Sequence, residues 1–194
     1  MSEWKRYKLN EIASLSNGIN FDKSAYTSGV KLIGVADFKD RVYPDYGSLQ
    51  EVDSKVVRNG DYLEKGDIVF VRSNGNKALV GRCLVVYPHN TPTTYSGFCI
   101  RYRLTSSEVN TAYLLRVLKA DSMRKKMTGR GANIQNLNQQ ILATLDIPLP
   151  PIEQQQQFAA FVEQTDKSKY FIHLAIEYYL LIKKLSWREK HDYN

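Results

Sequence analysis

Disulfides, metal chemistry and membranes find little to use in this sequence. Only two of its 194 residues are cysteine and three are histidine. Cys83 and Cys99 are too far apart for a Cys-x-x-Cys unit, and both sit in apolar, strand-like surroundings that suit buried free thiols in a reducing compartment. His89, His173 and His191 are scattered without metal-ligand spacing. The opening, Met1-Ser2-Glu3-Trp4-Lys5, lacks the apolar core of a signal peptide. The longest apolar stretch, near Phe171–Ile182, is broken by His173 and Glu177 and is too short and polar to span a bilayer. A cytoplasmic protein without membrane contact is therefore expected. There is no P-loop. The Gly-rich turn after a strand and the strand–helix alternation that a methyltransferase needs are missing too, and no internal repeat is visible. Acidic residues are also short, at 20 against 27 Lys and Arg, which leaves a net charge of +7. That balance favours an acidic partner, most commonly nucleic acid, and argues against a DNA mimic, which should be acidic.

What is present is ample material for a core. Hydrophobic residues make up 43% of the chain and aromatics 11%, with 13 tyrosines, which excludes general disorder. About the first 105 residues read as strands and turns. Leu32–Ala36 is a short apolar run, and Asp67–Arg72 is another, launched by the turn Glu64-Lys65-Gly66. Asn74-Gly75 signals a tight turn, and Leu79–Tyr87 returns, so Ile68–Tyr87 reads as a hairpin. Phe98, Ile100, Tyr102 and Leu104 alternate with Cys99, Arg101 and Arg103, a period of two that predicts one buried face and one wet, arginine-bearing face.

The pattern then becomes helical. Tyr113, Leu114, Val117, Leu118 and Met123 are spaced for one helix over Asn110–Met127, with Asn110 or Thr111 as its cap. Gly129-Arg130-Gly131 ends it, Asn133–Asn138 is a polar loop, and Gln139–Leu145 suits a short helix. Pro148, Pro150 and Pro151 forbid helix and read as a stiff spacer and domain boundary. Neither Gly nor Pro occurs from Ile152 onward, and Ile152–Leu185 predicts one long helix of about 50 Å. On it Phe158, Phe161, Thr165, Ser168, Ile172, Ala175, Tyr179 and Ile182 follow the coiled-coil period. The expected fold is thus mixed α+β: a domain over residues 1–150 with a curved or barrel-like sheet and flanking helices, followed by one long helix within residues 151–194.

Candidate contacts follow from chemistry. Phosphates need cations and amides, whereas bases need forked donors and acceptors such as Arg, Asn and Gln. Arg72, Asn74, Asn76, Lys77 and Arg82 cluster at the predicted hairpin tip. Arg124, Lys125, Lys126 and Arg130 crowd the end of the Asn110–Met127 helix, beside Asn133, Gln135 and Asn136. Arg101 and Arg103 form a third candidate pair. One nuclease-like coincidence exists: Pro44-Asp45 precedes Asp53-Ser54-Lys55, the PD…(D/E)xK order that could place Mg²⁺ between two carboxylates. Such a short pattern often arises by chance.

Gly129-Arg130-Gly131-Ala132-Asn133-Ile134-Gln135-Asn136-Leu137-Asn138, followed by Ile147-Pro148-Leu149-Pro150-Pro151-Ile152-Glu153-Gln154-Gln155, resembles the recurrent junction of type I restriction–modification specificity subunits. Lys65–Ser73 with Val80-Gly81-Arg82 is similar to the central hairpin of that family's target recognition domain. The stretch from Trp4 through Leu9–Ala13 to Asn17-Gly18 is similar to its start. The resemblance implies a non-catalytic DNA-reading subunit that needs no cofactor of its own. In the family two recognition domains each read half of a gapped target, and two long helices separate them and dock methyltransferase subunits that use S-adenosylmethionine. Restriction subunits that use ATP join that core. Only one such domain and one helix are visible here, so the resemblance implies pairing with a second copy or with a different specificity half. Phe158, Phe161, Ile172, Tyr179 and Ile182 are the expected seam. A stand-alone DNA-binding module is the other non-enzyme reading.

Overall fold

The computed structural model describes residues 4–39, 41–128 and 136–168. The chain divides into two compact units, Met1–Gln155 and Gln156–Asn194. Within the first unit the order is β1 (Lys5–Lys8), α1 (Leu9–Ile12), β2 (Ala13–Asn17), β3 (Tyr26–Ile33), β4 (Gln50–Val52), β5 (Ile68–Val71), β6 (Cys83–Val85), β7 (Thr93–Tyr95), β8 (Cys99–Leu104), α2 (Thr111–Lys119), α3 (Asp121–Thr128), α4 (Gln139–Ala143) and β9 (Asp146–Leu149). The described strands form three open sheets, β1-β9, β2-β8-β5-β6 and β4-β3-β7, so the mixed α+β class stands but no closed barrel forms among them.

The sheet β2-β8-β5-β6 is the centre of the fold, because both of its faces are covered. Ile68, Phe70, Ile100 and Tyr102 join one core with Leu9, Leu114, Leu118, Met127, Leu142 and Ile147. Val69, Val71, Leu84 and Cys99 join another with Ile33, Phe38 and Tyr95. Burial on both faces explains why β5 is an uninterrupted apolar run, Ile-Val-Phe-Val, with all four residues at 0% exposure. The expected hairpin exists as β5 against β6, with Ile68 opposite Val85 and Phe70 opposite Cys83. The turn Glu64-Lys65-Gly66 also forms: Gly66 takes φ +88°, and Asp67 N–H donates to the Glu64 carbonyl at 3.1 Å. Asn74-Gly75, by contrast, is not a tight two-residue turn. Gly75 is not among the glycines with positive φ, and β5 and β6 are joined by residues 72–82, which include a 3₁₀ turn at Lys77–Leu79.

The second face of β8 departs from expectation in the same physical way. Its alternation does not leave Cys99, Arg101 and Arg103 wet, because Cys99 packs in the second core and residues 59–64 cover the two arginines. Arg101 is 9% exposed and donates to the Gly60 carbonyl at 2.8 Å. Arg103 clasps Asp67 with two nitrogens at 2.8 and 2.7 Å, donates to the Tyr62 carbonyl and meets Glu64. Hydrogen bonding to Asp67 holds the Arg103 pKa above its ordinary value. Phe98, expected in the buried set, lies just before the strand and is 61% exposed.

Two helical expectations change as well. Asn110 caps α2 by accepting from Tyr113 N–H at 3.0 Å, but the predicted single helix is two. Ala120, at φ −62° and ψ 140°, ends α2, and its carbonyl accepts from Met123 and Arg124 to open α3. The bend turns Met123 and Met127 into the core. The proline stretch is not a spacer but strand β9, paired antiparallel with β1 so that Pro148 stands opposite Arg6. Proline is tolerated on so short an edge ribbon because its missing N–H faces no partner strand. Residues 152–168 are helical. The remainder of the predicted helix, including Ile172, Tyr179 and Ile182, lies outside the described residues. Where described, the helix exposes Phe158 and Phe161, and the hydroxyls of Thr165 and Ser168 donate to carbonyls one turn back, at Phe161 and Gln164.

Two stability outcomes follow. A Cβ on Gly18 would lie 2.2 Å from the Ser96 carbonyl oxygen, whereas one on Gly60 meets nothing within 4 Å. Gly18→Ala should therefore lower the urea midpoint clearly, and Gly60→Ala should stay within about 0.5 kcal/mol of the parent. Asp67→Ala removes both forked bonds from Arg103, which keeps only Glu64 and the Tyr62 carbonyl, and takes the acceptor from Glu64 N–H. It should cost about 3 kcal/mol, the lower end for a broken buried pair because the arginine side chain is 25% exposed. A loss below about 1 kcal/mol in the same titration would class the pair with surface ion pairs.

Candidate nucleic-acid interface

β5 ends at Val71, and the chain leaves the sheet as the 72–82 loop. Short polar side chains shape that loop from within. Asn74 Oδ1 accepts from Asn76 N–H at 2.7 Å, and Asn76 Oδ1 accepts from Ala78 N–H at 3.0 Å. Both amides thus spend an oxygen on local backbone, as Asn does in turns, while their NH₂ groups carry none of this load. Gly81, at φ +76°, returns the chain to β6, and a Cβ there would sit 3.5 Å from the Met127 sulfur in the last turn of α3.

That contact unites what the sequence presents as two separate clusters. Arg82, at the return of the loop, donates Nε–H to the Ala78 carbonyl at 3.3 Å and Nη1–H to the Phe38 carbonyl at 3.3 Å. Arg124, on α3, donates to the same Ala78 carbonyl at 2.9 Å. Lys125 and Lys126 follow in the last turn of α3 and are exposed. Lysines there also complement the helix dipole, so their position alone does not mark a ligand site. On the other side of the loop, Ser73 forms an antiparallel bridge with Asn136, and Leu137 N–H donates to the Arg72 carbonyl at 2.8 Å. Arg72 itself is half-buried and donates Nη1–H to the Gly97 carbonyl at 3.4 Å.

One end of the central sheet therefore gathers Arg72, Asn74, Asn76, Lys77, Arg82, Arg124, Lys125, Lys126 and Asn136. Arg72, Arg82 and Arg124 donate to neutral carbonyls, so these bonds orient the guanidiniums without cancelling their charge. Arg130, Asn133 and Gln135 lie outside the described residues. Arg101 and Arg103 are not part of this end. They are engaged beneath residues 59–64, with carbonyls and with Asp67. Phe98 is the residue that sequence periodicity missed here. Its carbonyl accepts from Arg72 N–H at 2.8 Å and from Ser73 N–H at 3.3 Å, so its backbone adjoins the same loop while its ring is exposed. The signal was Ser96-Gly97, which places Phe98 in a turn rather than in the strand.

Nothing comparable gathers around the carboxylates. Asp45 is paired with Arg41 at 3.1 Å, and hydrogen bonding to that arginine lowers its pKa. Asp53 accepts from Lys55 N–H at 2.9 Å and so caps a 3₁₀ turn. Among the described residues, no three His, Cys, Asp or Glu side chains come together where a metal ion could be held. Cys83 and Cys99 are buried free thiols, each pushed up to about 12 by desolvation. No helix of the described residues is long and apolar enough to cross a membrane.

Comparison with known proteins agrees with this architecture. The chain is 29% identical over 161 residues to the type I restriction enzyme StySPI specificity subunit of Salmonella potsdam, an overlap of 79% of this chain and 34% of that protein. Its fold is similar to the HsdS subunit from Thermoanaerobacter tengcongensis, with a TM-score of 0.62 at 19% identity over 86% of this chain and 38% of that one. It is also similar to a chain from a study of complex assembly and conformational transition of the type I R-M system, with a TM-score of 0.65 at 20% identity over 86% of this chain and 39% of that one. The chain thus spans little more than a third of these relatives' length. Specificity subunits of type I systems are non-catalytic DNA recognition components. The family model for the type I restriction modification DNA specificity domain matches residues 1–185, and the chain belongs to that family.

Proposed function

We propose that the end of the sheet around the 72–82 loop is laid against duplex DNA, and that the chain reads one half of a gapped target and directs type I methyltransferase subunits, and the restriction subunits that join them, to it. The observation that carries this reading is the convergence of Arg82 and Arg124 on the Ala78 carbonyl. It draws the loop and the basic last turn of α3 together, and the Ser73–Asn136 bridge adds the Asn136 segment to the same surface of cations and forked donors. Lys125 and Lys126 supply phosphate contacts, while Arg72, Asn74, Asn76 and Asn136 supply groups suited to base edges. S-adenosylmethionine and ATP belong to the partner subunits, and this chain holds no cofactor.

The working unit contains two copies. The matched relatives are more than twice as long as the segment they share with this chain, and a second copy is the simplest source of a second reader. Phe161, 66% exposed on the 152–168 helix, marks the face through which the copies pair. Antiparallel pairing of identical helices is two-fold, so the target is an inverted repeat with an unread gap. Pairing with a different specificity chain would instead give an asymmetric target.

In a salt titration, the chain should bind duplex DNA weakly, with an affinity that falls steeply as salt rises. Lys125→Ala/Lys126→Ala should reduce the magnitude of the slope by roughly 2 if both lysines touch phosphate. An unchanged slope removes the α3 terminus from the interface. Light scattering should report a dimer, either for the chain alone or once methyltransferase is added, and Phe161→Asp should shift it toward monomer without changing the thermal unfolding of the recognition unit. An asymmetric methylation motif, mapped in cells that make only this specificity chain, would exclude the two-fold assembly.

A further inference from the structure

The exposed ring of Phe98 has a setting unlike that of a stray surface hydrophobe. Single exposed apolar residues are ordinary and need no explanation. Those on loose loops, however, are free to fold their apolar area away, and Phe98 is not. Ser96 N–H donates to the Ile33 carbonyl at 3.0 Å, Gly97 N–H to the Ile19 carbonyl at 2.7 Å and Cys99 N–H to the Ser96 carbonyl at 2.8 Å. The Phe98 carbonyl takes two more donors, from Arg72 and Ser73. Both neighbours in sequence and the residue's own backbone are therefore fixed, yet the ring is 61% exposed. Four chain segments lie side by side here, because Gly18 N–H donates to the Cys99 carbonyl, Arg72 and Ser73 follow, and Leu137 N–H donates to the Arg72 carbonyl. Phe98 thus stands across from Arg72, with Asn136 one segment further on, opposite Ser73.

Arginine and asparagine offer hydrogen bonds to base edges, and the one apolar group in the major groove is the 5-methyl of thymine. An exposed aromatic on a fixed backbone, beside Arg72, completes that set. We infer that Phe98 is a specificity-determining residue that packs on a thymine methyl within the half-site read by this chain. The inference rests on the proposed DNA-reading role of this face, and it adds a readout that no charged or amide residue supplies.

The test uses the full chain at low salt and a pool of randomised duplexes. Bound duplexes are selected with the parent chain, Phe98→Leu and Phe98→Ala, and the enriched half-site is then synthesised with deoxyuridine in place of each thymine in turn. One thymine should lose about four-fold in affinity for the parent when its methyl is removed, the value of a single buried methyl. The same replacement should have no effect on Phe98→Ala, which should also lose preference for thymine at that position. Phe98→Leu should keep part of it, and all three proteins should share one salt slope, because the ring carries no charge. If Phe98→Ala retains every base preference and every deoxyuridine effect of the parent, Phe98 does not touch a base. A lost preference without any deoxyuridine effect would point to a wedge between base steps and would overturn the methyl contact. If the parent enriches no sequence at all, the failure lies with the DNA-reading role of the face, and the contact falls with it.

Discussion

β5 lies antiparallel to β8 with Ile68 opposite Tyr102 and Val71 opposite Cys99, and almost everything else about the recognition unit is set by that register. A slip of one residue would turn every side chain of the slipped strand to the other face. Here both faces are core, so apolar burial alone would only weakly distinguish the alternatives. The polar pair just outside the ladder removes that ambiguity. Asp67 precedes Ile68 and Arg103 follows Tyr102, and their forked bond closes only in this register. At the opposite end the same register leaves Arg72 and Ser73 facing Phe98, and with them the loop that gathers the cations. A buried ion pair at one end of the sheet thereby fixes which side chains meet at the other.

This division of labour explains why arginines of one strand and the next do different things. Arg103 is engaged by Asp67, and Arg101 by a carbonyl beneath residues 59–64, whereas Arg72, Arg82 and Arg124 are steered by neutral carbonyls that leave their charge uncancelled. Nothing in residue type distinguishes the two groups. The difference lies in whether a carboxylate and a covering segment arrive from elsewhere in the chain.

The same distinction marks how far sequence alone reached. The β5–β6 hairpin, the turn at Gly66 and the Asn110 cap are local, and local chemistry announced them. The family could be read from the junction at Gly129–Gln155 together with the 65–82 segment. Arg101 and Arg103 were misread as a wet face because period-two alternation reports only that two faces differ, not that a second layer covers the polar one. Phe98 was misplaced for a related reason: a one-residue shift of a strand boundary moves an aromatic from core to surface. The break at Ala120 was invisible because alanine favours helix, and what interrupts it there is the packing of Met123 and Met127. That the hairpin loop and α3 form one surface depends on a contact between Gly81 and Met127, 46 residues apart in the chain, which periodicity does not report.

The pairing of β1 with β9 has a mechanical meaning. Lys5 stands opposite Leu149, so the first and last strands of the unit run side by side as a two-stranded stem. Tension drawn through the 152–168 helix would first load the buried Gln155 side chain, which accepts from Asn110 N–H and donates to the Glu108 carbonyl, and only then the stem, rung by rung from Lys5–Leu149 inward rather than all at once in shear. Gln155 is therefore a latch on the stem. A pull on the helix that begins at Ile152 would have to undo that latch before it could open the stem.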